Sequence, residues 1–180
     1  MRTFIAINFD DEIKSKLRTV RDRIKTSSRS GNFVDDSNLH LTIRFIGEVS
    51  EEDMEGICMA IDEACSSFRS FDMTLNSVGF FPRGDKSIVW LGIEKNKSLE
   101  ILFANLEKNL MRQGFAKERQ GLTPHITIGR EVVLKTSYDK LKAEVDMQPI
   151  NIKVDSITLM ESIRKGPRLI YKPVFVQKLK

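Results

Sequence analysis

Apolar positions change their period several times along the chain, and each change marks a new element. Arg2 to Phe9 contains the run Phe4-Ile5-Ala6-Ile7 and predicts a strand. Asp10 then predicts a helix cap, with Asp11 and Glu12 in the first turn, where the helix dipole favours acids. Ile13, Leu17, Val20 and Ile24 follow at helical spacing, while Lys14, Lys16, Arg18, Arg21, Arg23 and Lys25 make the other face basic and solvated. The polar stretch Ser27–Asn32 predicts a loop. Leu39 to Ile46 predicts a second strand, broken at Gly47. Ser50 then caps a helix whose apolar stripe is Met54, Ile57, Cys58, Ile61 and Cys65.

The second half repeats this alternation. Phe71–Phe80 and Ser87–Ile93 predict two strands of a hairpin, joined by a turn at Pro82–Asp85. Ser98 is the expected cap of a third helix, with Leu99, Leu102, Phe103, Leu106 and Leu110 buried and Gly114 at its end. The basic loop Lys117–Gly121 leads to a strand over Thr123–Val133, and Thr136–Ala143 predicts a short helix. Ile150–Met160 and Leu169–Val176 predict the last two strands, with Arg164 to Pro167 in the turn between them. The order is β-α-β-α-β-β-α-β-α-β-β. Hairpins among alternating elements favour an α+β fold with antiparallel or mixed sheets over a doubly wound parallel sheet.

Composition narrows this little. The 180 residues, 41% hydrophobic and 30% charged, suit one globular domain. A net charge of +4 permits a phosphorylated or polyanionic ligand. No run of about 18 apolar residues suggests a membrane span, and the start of the chain does not read as a signal peptide. Cys58 and Cys65 on one helix would stand about 10.5 Å apart along its axis, too far for a disulfide. They read as small buried side chains in a reducing cytoplasm.

The chemistry gathers around the only two histidines. Leu39-His40-Leu41-Thr42-Ile43 and Pro124-His125-Ile126-Thr127-Ile128 share the pattern His-apolar-Thr-apolar, 85 residues apart. On a strand each histidine shares a face with its threonine, and the apolar residues fill the core behind. Two such copies are hard to explain by packing. Two histidines on one cleft can act as general base and general acid. Threonine hydroxyls can donate to phosphate oxygens, and arginine pairs with phosphate through its fork. Arg44, two residues after Thr42, is expected on the His40 face. Arg130, three after Thr127, needs a bulge or a strand end to reach the site. The set suits in-line attack of water on a phosphodiester, with charge on the transition state held by the hydroxyls and arginine. No carboxylate or cysteine stands at ligand spacing around either histidine, so no metal is expected. No nucleophile-elbow motif is present either.

HLTIRFIGEV (His40–Val49) and PHITIGR (Pro124–Arg130), after MRTFIAINF, resemble the RNA 2′,3′-cyclic phosphodiesterases of the two-histidine phosphoesterase superfamily, first known as 2′-5′ RNA ligases. Phe81, Pro82 and Trp90 in the middle, and ITLMES (Ile157–Ser162) with Gly166 and Tyr171 near the end, extend the likeness over the whole chain. The resemblance implies one domain, residues 1–180, of two pseudo-symmetric α+β lobes around a central cleft, with one motif per lobe (40–43 and 125–128). It implies metal-independent hydrolysis of an RNA 2′,3′-cyclic phosphate to a 2′-phosphomonoester, together with 2′-5′ ligation as a reversible activity. His40 would donate a proton to the leaving 3′ oxygen and His125 would accept one from water. Thr42 and Thr127 would hold phosphate, with Arg44 and Arg130 as further substrate-binding candidates. No cofactor is implied. The expected protein is a cytoplasmic monomer that binds RNA or a nucleotide and no membrane. Where family members often carry a Trp before the first motif, this chain has Phe33-Val34. Two other readings stay open: a non-catalytic RNA-binding module of the same fold, and a related phosphodiesterase for another 2′-5′ or cyclic nucleotide.

Overall fold

A computed structural model describes residues 1–180. Strand β1 (Arg2–Asn8) leads into helix α1 (Asp11–Thr26), capped as expected by Asp10, whose carboxylate accepts from the Ile13 amide at 2.8 Å. Strand β2 (Ser28–Phe33) and a 3₁₀ turn (Asp36–Asn38) precede β3 (His40–Glu48). Helix α2 (Glu51–Cys65) carries a full capping box between Ser50 and Asp53. The hairpin β4 (Phe71–Arg83) and β5 (Lys86–Ile93) is followed by α3 (Lys97–Arg112) and β6 (His125–Leu134). Helix α4 (Tyr138–Val145) then leads to β7 (Ile150–Val154), β8 (Ser156–Lys165) and β9 (Arg168–Lys178).

The strands form two sheets, β3-β1-β8-β9 and β2-β6-β5-β4-β7, and every pairing is antiparallel. The fold is α+β. The apolar stripes of the helices and the inner faces of both sheets share one large core, from Ile5 and Leu41 to Leu91 and Ile126. No helix is long and apolar enough to cross a membrane.

Five local expectations change. Ser27–Asn32 is not a loop: residues 28–33 form an edge strand on β6. Its sequence is polar because little but backbone pairing holds it. Gly47 does not end β3 but sits in it at φ +100°, beside an irregular step in the pairing with β1. Pro82 and Arg83 belong to β4, and the turn shrinks to Gly84-Asp85, with Gly84 in the left-handed region. The cap of α3 is Asn96, which accepts from the Leu99 amide at 3.0 Å, so Ser98 lies inside the helix. The run 150–160 is two strands, because the chain crosses at Asp155 from one sheet to the other. The two cysteines are free, and burial pushes the Cys65 thiol up to about 12.

Candidate active site

Strands β3 and β6 belong to different sheets yet pack side by side across the seam between them. Each carries one His-x-Thr segment. In both segments the imidazole is anchored in the same way. His40 Nδ1 donates to the Asn38 carbonyl at 2.7 Å, and His125 Nδ1 donates to the Thr123 carbonyl at 2.7 Å. A carbonyl only accepts, so Nδ1 keeps its proton and Nε2 is the nitrogen that titrates. His40 Nε2 lies 2.9 Å from Thr42 Oγ1. Neutral, it accepts from that hydroxyl; protonated, it donates to it.

Aromatic rings frame each imidazole. Phe4 and Tyr171 stand 4.9 Å and 5.0 Å from His40, Tyr171 edge-on. Phe81 and Trp90 stand 5.4 Å and 5.9 Å from His125, Phe81 edge-on. The Trp90 indole lies over Gly79, where a Cβ would come within 2.2 Å of it. Trp90 is therefore a packed wall of the site, and its Nε1 is buried without a partner. Asn38 joins the first half together. Its carbonyl holds His40, its amide donates to the Leu169 carbonyl at 2.7 Å, and its side-chain oxygen accepts from the Tyr171 amide.

Both motif strands bulge at the same step. Thr42 pairs with Ala6, but Arg44 pairs with Ile5, so Ile43 is the extra residue. Thr127 pairs with Trp90, but Gly129 pairs with Val89, so Ile128 is the extra residue. A bulge reverses the faces of the residues beyond it. Arg44 therefore turns away from His40, to the opposite face of its sheet. There its Nε donates to Glu107 at 2.6 Å, and its Nη groups reach Glu118 and the Ala116 carbonyl. Its expected place on the His40 face fails because strict alternation fails. The bulge in β6 does the reverse for Arg130. It follows the core-facing Gly129, and its charge reaches both His40 and Tyr171. Phe45 takes the corresponding position after the first motif and was not among the sequence candidates.

Burial is the main cause that holds the His40 imidazole below its ordinary range. The bond to Asn38 opposes it, while the charges of Arg130 and His125 push the same way. The charge of His125 is the smallest of these influences, and it sets the two imidazoles within electrostatic range of each other. A proton that the folded chain refuses is accepted by the unfolded chain below about pH 6.5. The His40 share of stability is therefore full above that value and declines as pH falls toward the folded value. In an NMR titration His40 is expected to titrate below 6.5, and Arg130→Gln to raise it. An unmoved His40 in that variant would remove Arg130 from the site.

Two concavities lie elsewhere, about 600 Å³ on the outer face of α3 and about 390 Å³ beside Arg44 and residues 115–120. The histidines line neither, and paired bases with anchored tautomers are the stronger mark of chemistry. No three His, Cys, Asp or Glu side chains converge anywhere in the structure.

A family model for the 2′-5′ RNA ligase superfamily matches residues 9–166. The chain belongs to the 2′-5′ RNA ligase superfamily. Among its relatives is the RNA 2′,3′-cyclic phosphodiesterase of Thermotoga maritima, 32% identical over 97% of this chain and 94% of that protein. A second, of the same description, is from Aeropyrum pernix, 34% identical over 89% of this chain and 93% of that protein. The crystal structure of E. coli LigT complexed with 3′-AMP superposes with a TM-score of 0.78 at 26% identity, covering 99% of this chain and 97% of that one.

Proposed function

We propose that this chain hydrolyses the 2′,3′-cyclic phosphate at RNA ends to a 2′-phosphomonoester, without a metal. One observation carries the reading: two strand segments each anchor an imidazole through Nδ1 two residues before a threonine, with matching bulges behind them. The relatives' described activity gives the substrate class.

The step balances simply. Water attacks phosphorus, and His125 Nε2 takes its proton. The bond from phosphorus to O3′ breaks, and His40 Nε2–H protonates O3′. The 2′ ester survives, so the product is a 2′-phosphate. Thr42 and Thr127 hydroxyls donate to the non-bridging oxygens, and Arg130 offsets the charge that builds on them. A 5′-hydroxyl in the place of water yields a 2′-5′ phosphodiester by the same route. The substrate's negative charge favours the His40 imidazolium and opposes the burial that holds this imidazole below its ordinary range.

The same low affinity favours a second reading, in which His40 is the base and His125 the acid. The experiment for the function itself is direct. A short RNA ending in a 2′,3′-cyclic phosphate is offered in EDTA, and the product is identified. A 2′-phosphate formed at an undiminished rate is expected. Binding without turnover would move the protein to the class of RNA-binding modules.

A further inference from the structure

We propose that Asn38 is the positioning residue for His40, and that it acts by pairing its side-chain amide with the open edge of β9. The inference rests on the cyclic phosphodiesterase reading, in which His40 Nε2 carries a proton of the reaction, and it names what holds that imidazole in its working state.

β9 is the last strand of its sheet, so its outer edge has no neighbouring strand. Such an edge leaves backbone N–H and C=O groups without partners. At one point Asn38 supplies them. Its side-chain N–H donates to the Leu169 carbonyl at 2.7 Å, and its side-chain oxygen accepts from the Tyr171 amide at 3.4 Å. These two backbone groups flank Ile170 and point to the same side of the strand. A parallel neighbour strand would engage the same two groups through the N–H and C=O of a single residue. One side-chain amide thus stands in for a missing strand.

Two consequences meet at His40. The Asn38 backbone carbonyl accepts from His40 Nδ1 at 2.7 Å, and this bond leaves Nε2 free to meet Thr42 Oγ1 at 2.9 Å. The Tyr171 ring, whose backbone amide the clip holds, stands edge-on 5.0 Å from the same imidazole. The acceptor of the His40 proton and the aromatic wall beside it therefore move only together. Without the clip the carbonyl drifts, Nδ1–H loses its acceptor, and the proton redistributes between the two ring nitrogens.

The other motif has no such device. Thr123, two residues before His125, gives the same carbonyl bond, but its side chain bonds to no other strand. Nor does the turn itself call for the clip. Asp36, at the start of that turn, is tied to Arg18 and Arg21, which holds the turn to α1 and not to β9.

The test reads the imidazole and the reaction separately. In nitrogen NMR the neutral His40 of the natural chain shows Nδ1 protonated and Nε2 bare. In Asn38→Ala the two tautomers mix. Its kcat on a nucleoside 2′,3′-cyclic phosphate falls by about 10- to 100-fold, the scale of a misplacement of about 1 Å, while KM stays. Asn38→Asp keeps the acceptor for the Tyr171 amide but sets a carboxylate against the Leu169 carbonyl. It shows the same changes, its negative charge moves the His40 limb of the pH profile upward, and it stands in where the alanine variant is unstable. Asp36→Ala loosens the same turn from α1 but leaves the clip, so tautomer and kcat hold. Full kcat in Asn38→Ala, a loss with the His40 nitrogen signals unmoved, or a loss carried by KM would overturn the proposal. So would an equal loss in Asp36→Ala, which would make the effect one of turn stability. Failure of the natural chain to turn over the cyclic phosphate would instead count against the phosphodiesterase reading, and the NMR comparison would still decide whether Asn38 sets the imidazole.

Discussion

His40→Ala and His125→Ala each lower kcat on an RNA 2′,3′-cyclic phosphate by about 10²–10⁴-fold, the range of one general acid or base. Substrate binding changes little, because the threonine hydroxyls and Arg130 are left in place. The double variant falls hardly further than the weaker single one, since acid and base act in one step. Both side chains are only half-buried, so circular dichroism and thermal melts of the variants should match the natural chain. Assigning the roles needs one more substrate. Replacing O3′ by sulfur makes a leaving group that departs as a thiolate and needs no acid. On that substrate the variant of the acid recovers and the variant of the base does not. Recovery of His40→Ala is expected; recovery of His125→Ala would exchange the two roles, as the lowered proton affinity of His40 favours.

The sequence carried the paired histidines and the alternation of strands and helices because both depend on short-range periods. His40 with Thr42, and His125 with Thr127, stand two apart on strands, and that spacing survives folding. The chain just beyond each motif was not legible. One extra residue, Ile43 or Ile128, reverses every side chain after it, and nothing in the apolar run distinguishes a bulge from a plain strand. Strict alternation therefore puts Arg44 on the wrong face, while β6 does hold the bulge that Arg130, three residues past Thr127, needs.

Long-range parts of the site were invisible for a different reason. Tyr171 meets His40 only because β9 lies two strands away from β1, with β8 between them. Asn38 joins them through amide bonds across 131 and 133 residues of chain. Edge strand β2 gave no signal at all. Its residues alternate among small polar side chains, and its place is set by the backbone of β6.

Removing Arg44 from the Arg44–Glu107 pair is expected to destabilise the chain by about 3–5 kcal/mol, the usual cost of an uncompensated buried charge. The side chains are 10% and 7% exposed, so water cannot take the place of the lost partner. Arg44→Met strands Glu107, whereas Glu107→Leu costs less, because Arg44 keeps Glu118 and the Ala116 carbonyl. The double variant Arg44→Met/Glu107→Leu recovers most of the loss, because two apolar groups fill the space without a bare charge. Arg44→Lys keeps the charge but offers no fork to hold Glu107, Glu118 and the Ala116 carbonyl together, and falls between. Urea unfolding of the four variants measures this directly. The pair has a consequence for the site as well. Glu107 also accepts from the Glu118 amide at 2.8 Å, so Arg44 ties the strand just past His40 to the segment that leads into His125. In Arg44→Met/Glu107→Leu stability returns but this tie does not. Its kcat should therefore stay below that of the natural chain, with KM for the cyclic phosphate little changed. A double variant with restored stability and full kcat would confine the pair to stability alone.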